Sequence, residues 1–239
     1  MTWGAHSTLI GFGPGGWGGM LARAALMTLS VALTAFVIGL SFGAIGAAAK
    51  LSSRQAARAA ADLYTTVMRG VPDLLVIYLV FFGGSEVLAS ISHALGWGGI
   101  FGLNGFIAGA LAVGIVSGAY QAEVIRGAIL AVPRGELEAA RALGLPRKAM
   151  LCRILVPRVL RFALPGLGNV WQLTLKESSL ISVIGLVEIL RATTLAAGAT
   201  RLPFLFFGTA VALFLLLTTF SGGVFRRAER WAARGERVA

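Results

Sequence analysis

Charged side chains are absent from residues 24–49 and from residues 202–225, and each run exceeds the ~20 helical residues that cross roughly 30 Å of hydrocarbon. A third uncharged run, 103–122, is rich in Gly and Ala, with Gly105 and Gly109, and Gly114 and Gly118, four apart, as are Gly39 and Gly43. Small residues at that spacing let membrane helices approach closely. Two further apolar runs are interrupted, 63–92 by Arg69, Asp73 and Glu86 and 162–187 by Lys176 and Glu177. The pattern predicts an all-α membrane protein with five transmembrane helices, at about 24–49, 63–92, 103–125, 162–187 and 202–225. Segment 1–23, with Trp3, Phe12 and Trp17, is expected at the outer interface, where Trp is favoured. Residues 126–161 form a long loop, and 226–239 a basic tail. Five spans put the two ends on opposite sides.

Composition excludes the soluble classes. Of 239 residues 57% are hydrophobic and only 13% charged, where a soluble domain carries about a quarter. The net charge of +11 is no nucleic-acid stripe, because the basic residues cluster between apolar runs. Counted by the positive-inside rule, the loop with Lys50, Arg54 and Arg58, the long loop and the tail together hold sixteen Lys and Arg. The opposite set holds three: Arg23, Arg191 and Arg201. This asymmetry predicts a multi-pass membrane protein with its N-terminus outside and its C-terminus cytoplasmic. The first run is too long for a signal-peptide core and lacks a basic segment before it, so it reads as a retained span. One cysteine, Cys152, and two histidines, His6 and His93, supply neither an intrachain disulfide nor the ligand spacings of a metal site.

The long loop carries its own punctuation. Pro133 suits the first turn of a helix, Gly144 its end, and Pro146 prevents continuation, which predicts a short helix from Arg134 to Leu143. Leu137, Ala140 and Gly144 fall on one face. So short a helix is marginal alone in water and must dock, on lipid headgroups, on the chain's own helix ends or on a partner protein.

Within this loop Glu138-Ala139-Ala140, then Gly144, Ile154 and Pro157, resembles the EAA loop of permeases of ABC importers, with Val156 where the family has Leu. Ala119-Tyr120-Gln121-Ala122-Glu123 with Arg126-Gly127 is similar to the signature of the polar amino acid permeases. Val132-Pro133-Arg134-Gly135, Glu138 through Gly144 and Lys176-Glu177-Ser178-Ser179-Leu180 continue it. Arg69-Gly70-Val71-Pro72-Asp73-Leu74 departs from the commoner R-G-T-P-L-L and resembles the histidine/lysine/arginine/ornithine and opine branch, as does Leu164-Pro165-Gly166-Leu167-Gly168-Asn169 with Trp171. The resemblance covers about residues 20–230.

It implies the transmembrane domain of a type I importer for polar, basic amino acids or opines, working by alternating access in the bacterial inner membrane, with a periplasmic N-terminus. Its partners would be a second permease, either a related chain or another copy, two ATP-binding subunits and a periplasmic binding protein. It implies coupling to the ATPases through Gly135, Glu138, Ala139, Ala140 and Gly144, and a substrate path that includes Tyr120, Glu123, Asn169, Glu177 and Ser178. No cofactor is expected in this chain. ATP and Mg would be bound by the partners, and the sequence holds no phosphate-cradling G-x-x-x-x-G-K-[ST].

Ionisable groups in the bilayer cost about 2.5–3.5 kcal/mol each and need a partner or a watery path. For Glu123 two readings stand: an interhelical ion pair with Lys176, or the wall of a hydrated cavity shared with Glu177, where carboxylates favour a cationic solute. Asp73 reads as a helix cap or interface residue, and Arg69 as a side chain that snorkels to the cytoplasmic face. A passive channel is the rival function. A membrane enzyme would need a convergent catalytic cluster, and none is present in the sequence.

Overall fold

The computed structural model describes residues 9–95 and 102–233, so Trp3, Arg234 and Arg237 lie outside the described residues. Among these every regular element is helical. Helix α1 (Gly18–Lys50) is apolar all round and ends where Leu51-Ser52-Ser53 brings polar residues. Amphipathic α2 (Gln55–Gly70) turns Ala61 and Thr65 inward.

The chain then breaks. Val71 and Pro72 are extended, with ψ of 138° and 130°, because the proline ring clashes with a helical conformation at the residue before it. The expected span 63–92 is therefore two elements, and α3 (Asp73–Ala94) begins afresh after the break, with a π turn at Leu79–Gly83.

Helix α4 (Gly105–Leu130) starts at Asn104, whose Oδ1 accepts the Phe106 N–H at 2.8 Å. Then come short α5 (Arg134–Ala142) and long α6 (Arg147–Ile184). The latter has a π turn at Leu151–Leu155 and tightens to a 3-10 helix at Ser178–Ile184. Gly185, at φ 91°, ends it in the left-handed region. Helix α7 (Ile189–Thr200) leaves α6 at a bend of 52°, and α8 (Pro203–Ala232) closes the bundle. Helices α1, α3, α4 and α8 are each long and apolar enough to cross a membrane, and α6 with α7 makes a fifth crossing if the bent pair is one broken span.

Helix α4 is the axis. Its Gly114 and Gly118 meet Gly39 of α1 so closely that a Cβ on Gly39 would stand 3.2 Å from both Gly114 O and Gly118 N, and one on Gly43 would stand 3.2 Å from Ala122 N. In lipid the attraction between helices comes from close packing and buried polar contacts rather than from expelled water, so this backbone approach holds the bundle. Polar contacts reinforce it: the Ser117 and Thr174 hydroxyls lie 2.8 Å apart, and Gln121 Nε2 donates to Ser117 Oγ at 2.9 Å and to Phe36 O at 3.2 Å. Trp171 of α6 sits between Phe36 and Phe225, with ring centroids at 5.5 and 6.2 Å, and fastens α6 to α1 and α8.

A candidate translocation site and its cytoplasmic connections

The break at Val71–Pro72 has a chemical consequence. It places Asp73 in the first turn of α3, where a carboxylate suits the exposed N–H groups, and aims its carboxyl at α6. There Glu177 ends the α-helical stretch before the 3-10 segment, and the two carboxyl side chains face each other. Two carboxyl groups come this close only with a proton, or a cation, between them.

Their surroundings are apolar. Val71, Tyr120 and Leu180 pack on the core of Val76, Ile77, Val113, Val116 and Ile181. The exposed Arg69 guanidinium, 5.3 Å from the ring centroid of Tyr120, lies over that ring in a cation–π contact. Ser178 is buried and donates to Leu175 O at 2.8 Å. Asn169 is exposed on the other face of α6. The break thus brings Asp73 to Glu177, while Ser178 turns its hydroxyl to its own helix.

Glu123 belongs to a different cluster. Its Oε1 accepts from Lys50 Nζ at 2.5 Å and its Oε2 pairs with Arg126 at 2.9 Å. Lys50, buried to 9% exposure, also reaches Asp62 at 2.8 Å. Lys176 is not its partner, because α4 and α6 meet through Ser117 and Thr174 and carry the two charges away from each other. The cluster fastens the end of α1 to α2 and α4. Its hydrogen bond to Lys50 holds the Asp62 carboxyl below the usual carboxylate range. Nearby, Tyr64 donates to Ile115 O at 2.6 Å.

Beyond α4 the chain enters α5. Leu145 N–H bonds to Ala140 O at 3.1 Å and Gly144 N–H to Arg141 O at 2.9 Å, with Gly144 at φ 71°. This paired closure around a left-handed glycine is a Schellman end. Glu138, Ala139 and Leu143 are exposed and Gly135 is open on all sides, whereas Ala140 is buried. Ala139, Ala140 and Leu143 line a groove with Ile154 and Pro157, so the motif's separated residues converge. One ion pair, Arg158 to Glu136 at 2.9 Å, clips α5 to α6. Leu143, 79% exposed, leaves the helix with an apolar tip in water.

Sequence reasoning missed Glu188. It is buried and caps α7, its carboxylate accepting the Leu190 and Arg191 N–H groups at 2.9 and 2.8 Å. Thr28 of α1 accepts the Ile189 N–H at 3.2 Å. An acid directly before an apolar helical run is the signal that could have found it. No group of three or more His, Cys, Asp or Glu among the described residues could hold a metal ion.

The family model of the binding-protein-dependent transport system inner membrane component matches residues 39–231. An octopine transport system permease protein of Agrobacterium tumefaciens (strain Ach5) is 55% identical over 230 residues, covering 96% of this chain and 97% of that one. The histidine/lysine/arginine/ornithine transport system permease protein of Escherichia coli (strain K12) is 40% identical over 215 residues, 90% of this chain and 94% of that one. Among solved structures, an amino acid ABC transporter crystallised with histidines superimposes with a TM-score of 0.74 at 30% identity, over 90% of this chain and 94% of that one.

Proposed function

The chain belongs to the family of binding-protein-dependent transport system inner membrane components, and from that premise we propose that it passes a cationic amino acid, or an opine built on one, into the cytoplasm. It is a membrane permease subunit of an ABC importer and not an enzyme, and hydrolysis of ATP falls to a separate subunit. The one observation that carries the substrate class is the facing pair of carboxyl groups, Asp73 and Glu177, inside an apolar bundle. With no solute present a proton holds the two carboxyls together; an ammonium or guanidinium replaces it with a charge-assisted contact, whereas a neutral side chain would leave the acids without a counter-ion.

In this reading Tyr120, under Arg69, forms a wall of the site. Asn169 belongs to the same hydrated path, and Ser178 shapes the backbone beside Glu177. Glu123 holds helices together, because Lys50 and Arg126 engage both of its oxygens. The exposed Glu138, Ala139 and Leu143 of α5 meet the ATPase, and Gly135 and Gly144 set the two ends of that helix. ATP and Mg, bound by two ATPase partners, would drive α5 and rock the bundle between outward and inward access. A second permease, either a related chain or another copy, would complete the pore, and a periplasmic binding protein would deliver the solute. The sixteen-to-three asymmetry of Lys and Arg supports a periplasmic N-terminus and a cytoplasmic C-terminus.

Uptake by the reconstituted complex tests the reading. A charge-assisted contact contributes about 1.5–3 kcal/mol, so Glu177→Gln is expected to lower arginine and octopine uptake roughly 10- to 100-fold. Glutamine uptake, normalised to protein in the membrane, should fall by less than about threefold on the same scale. Equal losses for cationic and neutral solutes would refute it.

A further inference from the structure

The last two turns of α8 carry charge where the rest of the helix carries none. Arg226, Arg227 and Arg230 are exposed, and they are neighbours, since Arg230 stands four and three residues beyond the other two. Among the described residues none of the three forms an ion pair, not even with Glu229 in the same turns. Three guanidinium groups held this close repel one another unless an anion comes between them.

The outward face of this end runs from apolar to basic to aromatic. Phe220, Val224, Arg227 and Trp231 are exposed, at intervals of four, three and four residues that place them on one stripe. Helix α8 has 30 residues, about 45 Å of rise, against about 30 Å of hydrocarbon. The excess falls at the charged end, because no charge precedes Arg226 back to Leu202. Trp231 then stands at the headgroup level, where Trp is favoured. Arg226 lies on the side toward α6, and its guanidinium folds back over two glycines. A Cβ on Gly222 would stand 3.3 Å from its Nη1 and 3.5 Å from Gln172 Nε2, and one on Gly223 would stand 3.9 Å from its Nη2. Its charge therefore points to the edge of the hydrocarbon, the level of the lipid phosphates.

We propose that this end of α8 binds the phosphodiester of an anionic phospholipid, whose chains lie along Phe220 and Val224 and whose headgroup meets Trp231. Basic residues clustered just beyond a transmembrane helix attract anionic headgroups. A zwitterionic lipid offers the same phosphate, but its own ammonium offsets the charge. A free anion would use the arginines and leave the apolar stripe without a part. Phe225, next to Arg226, packs on Trp171 and Phe36, so a lipid held here bears on the contact that joins α8 to α6 and α1. The inference depends neither on the solute carried nor on which leaflet this end meets.

The test is lipid retention by the purified, assembled transporter in detergent, read by native mass spectrometry. The probes are dioleoylphosphatidylglycerol and dioleoylphosphatidylcholine at equal concentration. With Arg226, Arg227 and Arg230 all changed to Gln, the complex should retain fewer molecules of the anionic lipid, by at least one per copy of this chain, and as much phosphatidylcholine as before. The same three changed to Lys should keep the anionic lipid, because the charge is preserved. Arg227→Gln alone should weaken its binding about fivefold, the worth of one basic residue near a charged membrane surface. An unchanged count of the anionic lipid in the triple Gln variant overturns the proposal, and so does an equal loss of both lipids. Displacement by glycerophosphoglycerol, the same headgroup without chains, at equal concentration would assign the arginines to a free anion and overturns it too. Loss of the ATPase with the lipid count unchanged would assign them to a protein contact, with the same result. If the triple Gln variant does not assemble, Arg227→Gln on the outward stripe decides, and undiminished binding of the anionic lipid there overturns the proposal.

Discussion

Replacing Glu123 with Gln isolates the cluster that joins α1, α2 and α4. In the wild type two cations, Lys50 and Arg126, face two carboxylates, Glu123 and Asp62. The substitution leaves two cations and one acid, and that acid, Asp62, is 64% exposed, so solvent screens most of what it can offer. Stranding a fully buried charge costs 3–5 kcal/mol, and losing an exposed pair costs 0–1 kcal/mol. Lys50 at 9% exposure and Glu123 at 25% lie between these limits, and Gln still accepts one hydrogen bond. The expected loss is about 1–3 kcal/mol by that interpolation, or roughly 3–10 °C in melting temperature for a chain of this length.

Thermal unfolding of the purified complex measures it, and a double-mutant cycle identifies the partner. Lys50→Met alone strands Glu123 in part; Lys50→Met with Glu123→Gln removes both charges and should recover about 1–2 kcal/mol of the summed losses. Because its hydrogen bond to Lys50 keeps the Asp62 carboxyl below its ordinary range, the stabilisation is complete at neutral pH and is lost only as the pH falls through that lowered value. Transport of cationic and neutral solutes should decline together, in step with the amount of intact complex. Strict additivity of the two substitutions would refute the clamp, and coupling of Glu123→Gln to Lys176→Met in place of Lys50→Met would refute the assignment of the partner.

Two further predictions concern the cytoplasmic side. Gly144→Val places a β-branched residue at φ 71°, a conformation that costs an L-residue about 1–2 kcal/mol, so the end of α5 should fray while the bundle still inserts; recovery of the ATPase in pull-downs should fall, and normal recovery with normal transport-coupled hydrolysis would refute it. Reporter fusions after Gly198 should read periplasmic and those after Arg147 or Arg227 cytoplasmic, and a cytoplasmic signal at Gly198 would refute the proposed orientation.

The parts of the fold legible in the sequence are those that lipid dictates one residue at a time. Helices α1, α4 and α8 show as uncharged runs because each charge carries its own penalty there, and the approach of Gly39 to Gly114 and Gly118 shows as a spacing because only missing side chains permit it. Helix α5 was legible for another reason, since Pro133 and Gly144 act through their own backbone angles. What remained hidden depends on pairs far apart in the chain. Lys50 and Glu123 are 73 residues apart, and no local pattern distinguishes that pairing from one with Lys176.

The acid pair was hidden by a misread signal rather than by distance alone. Arg69-Gly70-Val71-Pro72-Asp73 carries a proline that forbids helix at Val71, yet the apolar run on both sides argued for one span through it. Had the helix continued, Asp73 would have been an interior residue with no reason to face α6; because it stops, Asp73 opens a new helix and its carboxyl reaches Glu177. The break also frees the backbone groups on both sides of Val71 and Pro72 from the helical ladder. In a bilayer such groups are tolerated where they are enclosed by protein or line a hydrated cavity, and a site that must admit a charged solute is such a place. One proline thus sets the geometry of the acid pair and leaves unpaired backbone groups beside it, the combination on which the proposed cation site depends.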